Sequence, residues 1–266
     1  MRPGLIRLAA SLLSVLMLGK PSQVQITDIP EPPAYIMHAG GVMPDGRIGT
    51  NSIEAMNASY EDGNYFIELD FVKTSDGKWV CVHDWDAFYS ERITGAKIPD
   101  MQTFEMYRKS AYGYESPTLE VLTEWMDEHP EAVIITDVKD DNPGFVKYVG
   151  ENYPLMTERF IIQIYNRDEY KIAADSGFQN IIYTFYRESV QNRYDTEVLN
   201  SFVQDSEKLI ALTYADDRAN ADKIAEVCEL GIPVYIHTVN DPKDRLFWKE
   251  LGVYGFYCDY VADAAG

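Results

Sequence analysis

From Ala34 onward, short β-branched and aromatic runs alternate with longer segments of helical period, and this alternation constrains the fold more than any other property of the chain. Such a pattern predicts βα units around a parallel sheet. Eight candidate strands are present, at 34–38, 65–72, 79–83, 132–138, 159–164, 180–184, 208–212 and 233–238. Helices are predicted over 51–62, 118–129, 144–152, 167–175, 187–201, 218–230 and 242–251, with Gly63, Gly177 and Gly231 standing where C-caps are wanted. The link from Lys73 to Lys78 is too short for a crossover helix, so it reads either as a hairpin or as a barrel missing one helix. Eight strands between residues 34 and 263 fit a single-domain α/β fold, the (β/α)₈ TIM barrel of roughly 250 residues. No glycine-rich phosphate-cradling turn follows the first strand, which argues against a nucleotide-binding open sheet.

The formal net charge of −20 would repel phosphate backbones and anionic headgroups, so nucleic acid is not an expected partner. A small anionic substrate would need local positive charge, which a bound divalent cation supplies. Cys81, Cys228 and Cys258 are far apart and lack CxxC spacing, so they read as buried free thiols. At the N-terminus, Arg2 and Arg7 precede an apolar stretch from Leu8 to Gly19, shorter than the ~20 residues of a spanning helix. Residues 1–25 are therefore expected to be a signal peptide or N-terminal anchor, with secretion or cell-envelope localisation. Residues 26–33 form a Pro-rich linker to a domain over 34–263.

Chemistry-capable residues gather at the ends of the early strands. His38 ends the first, Glu68 and Asp70 lie late in the second, and His83 ends the third, in a chain with only four histidines. In a barrel, residues at the C-terminal ends of strands face the active-site mouth. Strand alternation puts Glu68 and Asp70 on one face, roughly 6.6 Å apart along the strand. Two carboxylates so placed repel each other unless a cation or protons intervene. Asp137 and Lys139 share a face at the end of the fourth strand, adding one acceptor and one cation. Oxygen-rich ligation by Glu68, Asp70 and Asp137 suits one Mg²⁺ or Ca²⁺ better than zinc. His129, before Pro130 at a helix end, reads as a capping residue.

These residues sit in motifs that resemble the glycerophosphodiester phosphodiesterases, within the wider superfamily of phosphatidylinositol-specific phospholipase C-like barrels. The resemblance lies in His38-Ala39-Gly40, Asn51-Ser52-Ile53-Glu54-Ala55, Ile67-Glu68-Leu69-Asp70, Thr74-Ser75-Asp76-Gly77 and Val82-His83-Asp84. It extends through Pro117-Thr118-Leu119-Glu120, Asp137-Val138-Lys139, His237-Thr238-Val239-Asn240 and Gly255-Phe256-Tyr257-Cys258-Asp259. What the resemblance implies is a barrel that cleaves a phosphodiester with one divalent cation and two histidines as acid and base. By position, His38 and His83 would be that catalytic pair and Glu68 and Asp70 metal ligands, with Asp137 where the family usually offers Glu.

Three departures stand out. Ala39 occupies the place of a usual Arg, a bidentate phosphate clamp. Thr50-Asn51-Ser52 replaces Glu-Asn-Thr, and His237 stands where Trp is common. Lys139, Trp85 and His237 are the candidate substrate-binding residues, with Lys139 compensating for Ala39 and Trp85 receiving an apolar part of a lipid-derived substrate. The expected activity is hydrolysis of glycerophosphodiesters or a related lipid-headgroup or envelope phosphodiester. The alternatives are a lyase of phospholipase C or D type that forms a cyclic phosphate, and a non-catalytic barrel that binds a phosphate ligand.

Overall fold

The computed structural model describes residues 32–92 and 97–261. The expected leader or anchor at 1–25 and nearly all of the linker lie outside the described residues.

The strands are β1 (Tyr35–Met37), β2 (Phe66–Lys73), β3 (Trp79–Cys81), β4 (Val133–Val138), β5 (Phe160–Ile164), β6 (Ile181–Thr184), β7 (Leu209–Ala215), β8 (Val234–His237) and β9 (Gly255–Cys258). They form one sheet in the order β1-β9-β8-β7-β6-β5-β4-β2-β3, and a β1–β2 pairing closes it. All pairings are parallel except β2 with β3. The closed structure is thus an eight-stranded parallel (β/α)₈ barrel with β3 appended outside it.

This differs from the sequence reading in the identity of two strands. The segment after Lys73 is a hairpin, turned at Thr74–Gly77, where the N–H of Gly77 donates to the Thr74 carbonyl at 2.9 Å and φ is +82°. The eighth barrel strand is instead β9, whose four residues begin at Gly255. A Cβ at Gly255 would stand 2.7 Å from the Ala34 carbonyl oxygen, so close approach of β1 and β9 requires glycine.

Around the barrel run α1 (Ile53–Glu61), α2 (Trp85–Arg92), α3 (Met101–Tyr107), α4 (Leu119–Glu128), α5 (Asn142–Asn152), α6 (Asp168–Asp175), α7 (Thr196–Gln204), α8 (Ala221–Cys228) and α9 (Pro242–Glu250). Several are capped by the residue that sequence logic wants: Ser52, Thr118, Asp141, Asp195 and Asn220 each accept a first-turn backbone N–H. The predicted helix over 187–201 begins later, at Thr196, because Asp195 caps it there. Helices α2 and α3 lie between β3 and α4, a stretch that carried no helical expectation.

Both faces of the strands are buried. Ile67, Leu69 and Phe71 of β2 point outward into the layer beneath the helices. Ile36, Phe66, Val133, Ile135, Ile161, Ile182, Ala211, Tyr235 and Tyr257 fill the barrel interior. Period-two alternation then fixes the next inward positions, towards the C-terminal ends: His38, Glu68 and Asp70, Asp137, Gln163, Thr184, Thr213, His237 and Asp259. Apolar residues plug the barrel below and polar ones line its mouth above.

Candidate active site

The mouth is a cleft of about 280 Å³ lined by His38, Glu68, Asp70, His83, Asp137, Lys139, Gln163, Tyr186, Ala215, Asp217, His237, Thr238 and Tyr257. The cleft therefore gathers His38, Glu68, Asp70, His83, Asp137, Lys139 and His237 from the sequence reading. Trp85 is the exception. Its indole packs edge-on against Phe88 and Phe104, at centroid distances of 5.6 and 6.4 Å, in an apolar cluster with Val72, Val80 and Val82. Helix α2 starts at Trp85 and turns the ring towards α3 instead of the cleft.

Three carboxylates form the floor. In the β2–β4 register Asp70 stands opposite Asp137, and Glu68 lies two residues earlier on the same face. Their oxygens come within 4.8 Å of one another. Asp70 is fixed by Asn51, whose Nδ2 donates to Asp70 Oδ2 at 2.7 Å and whose Oδ1 accepts the Asp70 N–H at 2.8 Å. Asn51 makes these contacts from a left-handed conformation, φ 49°, which asparagine tolerates better than most residues. Glu68 Oε2 accepts the Ala39 N–H at 2.9 Å. The position that lacks the usual Arg thus serves Glu68 through its backbone.

Asp137 receives Lys139 Nζ on Oδ2 at 2.8 Å and the hydroxyls of Tyr165 and Tyr186 on Oδ1. Lys139 also reaches Asp70 Oδ1 at 2.6 Å, so one ammonium bridges two carboxylates. Burial alone would lift the Asp137 carboxyl, but the Lys139 charge and these hydrogen bonds outweigh it and hold the group below its ordinary value. Arg187 steadies the same strand end: its guanidinium lies 3.7 Å from the Tyr165 ring centroid and donates to the Val138 carbonyl at 2.9 Å.

Glu68 is left without an equivalent cation. Burial first, then the charge of Asp70, pushes its carboxyl up to about 8. Three buried carboxylates against one lysine leave negative charge that a proton must cover, and an all-oxygen donor set with surplus charge fits a hard divalent cation.

Two imidazoles flank this floor. His38 follows β1 in a tight turn through Gly41, where an added Cβ would meet Ser59 Oγ at 2.2 Å. Its Nδ1 lies 2.8 Å from Asp259 Oδ1. Asp259 is itself held by Asn240, which donates from Nδ2 to Oδ2 at 2.6 Å and accepts the Asp259 N–H at 2.8 Å. Burial acts against the charged ring, but the Asp259 hydrogen bond and the Glu68 charge outweigh it and raise His38 to about 9. His83 reaches the mouth by another route. The hairpin pairs Cys81 with Phe71, and the returning chain carries His83 back to the cleft. Its Nδ1 lies 2.7 Å from Asp84 Oδ2.

His237, at the end of β8, lies between Tyr186 and Tyr257, with centroids 5.9 and 5.8 Å away. Burial lowers its imidazole to about 4. Asp259, Asn240, Asn51, Tyr165 and Tyr186 carried no assigned role in the sequence reading. The first three lay within motifs quoted there, but nothing in their local spacing announces partners 19 to 221 residues away.

The sequence matches the glycerophosphoryl diester phosphodiesterase family over residues 39–263. No curated protein matches it. Among solved structures, a glycerophosphodiester phosphodiesterase from Parabacteroides distasonis is 20% identical, covering 85% of this chain and 92% of that one, with a TM-score of 0.60. The enzyme from Thermotoga maritima is 17% identical over 86% of this chain and 95% of its own, with a TM-score of 0.59. An Oleispira antarctica phosphodiesterase, solved in complex with its product sn-glycerol-3-phosphate, is 14% identical over 86% and 93%, with a TM-score of 0.65. At these identities the structures attest the shared barrel, while the family match spans most of the chain. The chain belongs to the glycerophosphoryl diester phosphodiesterase family and is a phosphoric diester hydrolase.

Proposed function

We propose that the protein is a metal-dependent hydrolase of glycerophosphodiesters or a related lipid-headgroup or envelope phosphodiester, with His38 and His83 as its proton-transfer pair. One observation carries the reading: two carboxylate-held imidazoles flank a buried carboxylate triad in one small cleft. Glu68, Asp70 and Asp137 would hold one divalent cation, Mg²⁺ or Ca²⁺. When bound, that cation neutralises phosphate charge and polarises the phosphoryl oxygens.

The chain's own groups supply the proton transfers. With Nδ1 of each imidazole committed to Asp259 or Asp84, Nε2 is the nitrogen left for the substrate. One ring takes the proton of the attacking hydroxyl, and the other protonates the alkoxide released as the P–O bond breaks. Lys139 contributes fixed positive charge in place of the Arg absent at Ala39. A cleft of about 280 Å³ is at the small end of the roughly 300–1,000 Å³ typical of ligand pockets, which favours a phosphate with a short alcohol over an intact diacyl lipid. The product in the Oleispira structure has that size.

Incubating the protein with glycerophosphodiesters and Mg²⁺ or Ca²⁺ should release an alcohol and glycerol phosphate, and EDTA should stop the release. His38→Ala and His83→Ala should each lower kcat by roughly 10²–10⁴ with the circular dichroism spectrum unchanged. Metal-independent turnover that survives both substitutions would overturn the proposal. ³¹P NMR of the product separates hydrolysis from lyase action, since a lyase would stop at the cyclic phosphate. Metal-dependent phosphate binding without turnover would mark a binding barrel. The basic and apolar N-terminal segment supports export or membrane tethering, and fractionation of cells expressing the full chain tests it.

A further inference from the structure

The other catalytic-centre groups are committed: Lys139 to Asp70 and Asp137, His38 to Asp259, and His83 to Asp84. His237 is different. Its Nε2 is buried and has no hydrogen-bond partner among the described residues, and no other residue lining the cleft carries such an orphaned side-chain atom. A buried polar atom is costly to leave unpaired, which is why such atoms in native structures call for an explanation.

The surroundings specify what could pair with it. In the β7–β8 register His237 stands opposite Ala215, the smallest side chain lining the cleft. Tyr186 and Tyr257 flank the imidazole, and Gln163 lines the cleft with them. Burial holds the imidazole neutral, so it offers a hydrogen bond without a charge. A phosphate would find better partners at Lys139 and the metal-binding carboxylates' cation. An uncharged hydroxyl matches a neutral nitrogen between aromatic walls.

We propose that Nε2 of His237 binds a hydroxyl of the glycerol or other polyol part of the diester, so that the cleft selects hydroxylated alcohols over alkyl groups of the same length. This inference rests on the phosphodiesterase reading and adds the group that the organic side of the cleft recognises. By accepting or donating one buried hydrogen bond, His237 discriminates by roughly tenfold to a hundredfold, because the hydroxyl-free ligand leaves its nitrogen unpaired.

The test compares sn-glycerol 3-phosphate with n-propyl phosphate as competitive inhibitors of bis(p-nitrophenyl) phosphate hydrolysis by the Mg²⁺- or Ca²⁺-loaded protein. Because neither inhibitor is cleaved, any role of a substrate hydroxyl as nucleophile does not enter the ratio. The wild-type protein should bind the glycerol compound tighter by that factor. His237→Phe keeps an aromatic ring between the tyrosines and should bring the ratio near one, whereas His237→Gln, with a hydrogen-bonding amide, should restore part of it. Equal inhibition by the two compounds in the wild-type protein overturns the inference, whatever the variants do, and so does a ratio that His237→Phe leaves intact. Absence of any turnover by the wild-type protein overturns the phosphodiesterase reading and the inference with it, whereas turnover with a ratio of one overturns the inference alone.

Discussion

Nδ1 of His38 and Oδ1 of Asp259 lie 2.8 Å apart across the seam where β1 meets β9, joining residues 221 positions apart in the chain. The carboxylate fixes the ring orientation and favours its charged form. Burial would raise the Asp259 carboxyl, but hydrogen bonds from His38 and Asn240 keep it below its ordinary value, so the partner stays anionic. Asp259→Asn should therefore lower the His38 pKa and reduce kcat by about tenfold to a hundredfold, less than loss of the imidazole itself. A pH–rate profile checks this: the limb governed by His38 should move to lower pH. An unmoved limb with unchanged kcat would show that Asp259 has no part in positioning the ring.

Lys139 bridges Asp70 and Asp137 at 2.6 and 2.8 Å, with side-chain exposures of 21%, 2% and 13% for the three residues. Removing one partner from such a buried group leaves uncompensated charge, at a cost of about 3–5 kcal/mol. Lys139→Met should destabilise the metal-free protein by that order. A divalent cation on the same carboxylates replaces the missing charge, so Mg²⁺ or Ca²⁺ should raise the Tm of the variant more than that of the wild-type protein. Thermal denaturation with and without metal measures the difference. Equal metal-induced shifts would mean that Lys139 and the cation do not act on the same charges.

Much of this site is legible in sequence because strand geometry has a period of two. Glu68 with Asp70, and Asp137 with Lys139, are each two residues apart, and that spacing alone puts each pair on one face. The groups that hold them are not legible for a matching reason. Asn51 reaches Asp70 from a left-handed loop position, and Asn240 reaches Asp259 from the turn after β8. Neither relationship follows from local spacing, because each spans a whole βα unit of 19 residues and forms only when the flanking strands lie side by side. Strand β9 escapes notice because it starts with a glycine, a residue depleted in strands, which close packing against Ala34 and Tyr235 requires here. Trp85 misleads in the opposite way: adjacency to His83 suggests a shared cleft, yet the start of α2 sends the indole into the α2–α3 cluster.

Ligation by Glu68, as proposed, would tie metal binding to pH. Its carboxyl, raised from 4.5 to about 8 by burial and by Asp70, binds its proton more tightly in the folded than in the unfolded chain. The stabilisation is fully present below pH 4.5 and is lost as pH rises through 8. His38, raised from 6.5 to about 9, acts in the same direction, its contribution present below pH 6.5 and lost through 9. Asp137 and Asp259, both held low, contribute stability above their unfolded value of 3.8 that is lost in acid. The metal-free protein should therefore be most stable in mildly acidic solution and lose Tm steadily towards pH 9. A cation ligated by Glu68 needs the carboxylate and must displace the proton, so metal affinity should rise over the range in which metal-free stability falls. Calorimetric titrations at pH 7 in buffers of different ionisation enthalpy should show proton release on Mg²⁺ or Ca²⁺ binding. Glu68→Gln carries no titratable proton there, so it should flatten the Glu68 part of the stability decline and weaken metal binding, with no proton released from that site. Proton release identical in the wild-type and Glu68→Gln proteins would remove Glu68 from the metal-linked ionisation.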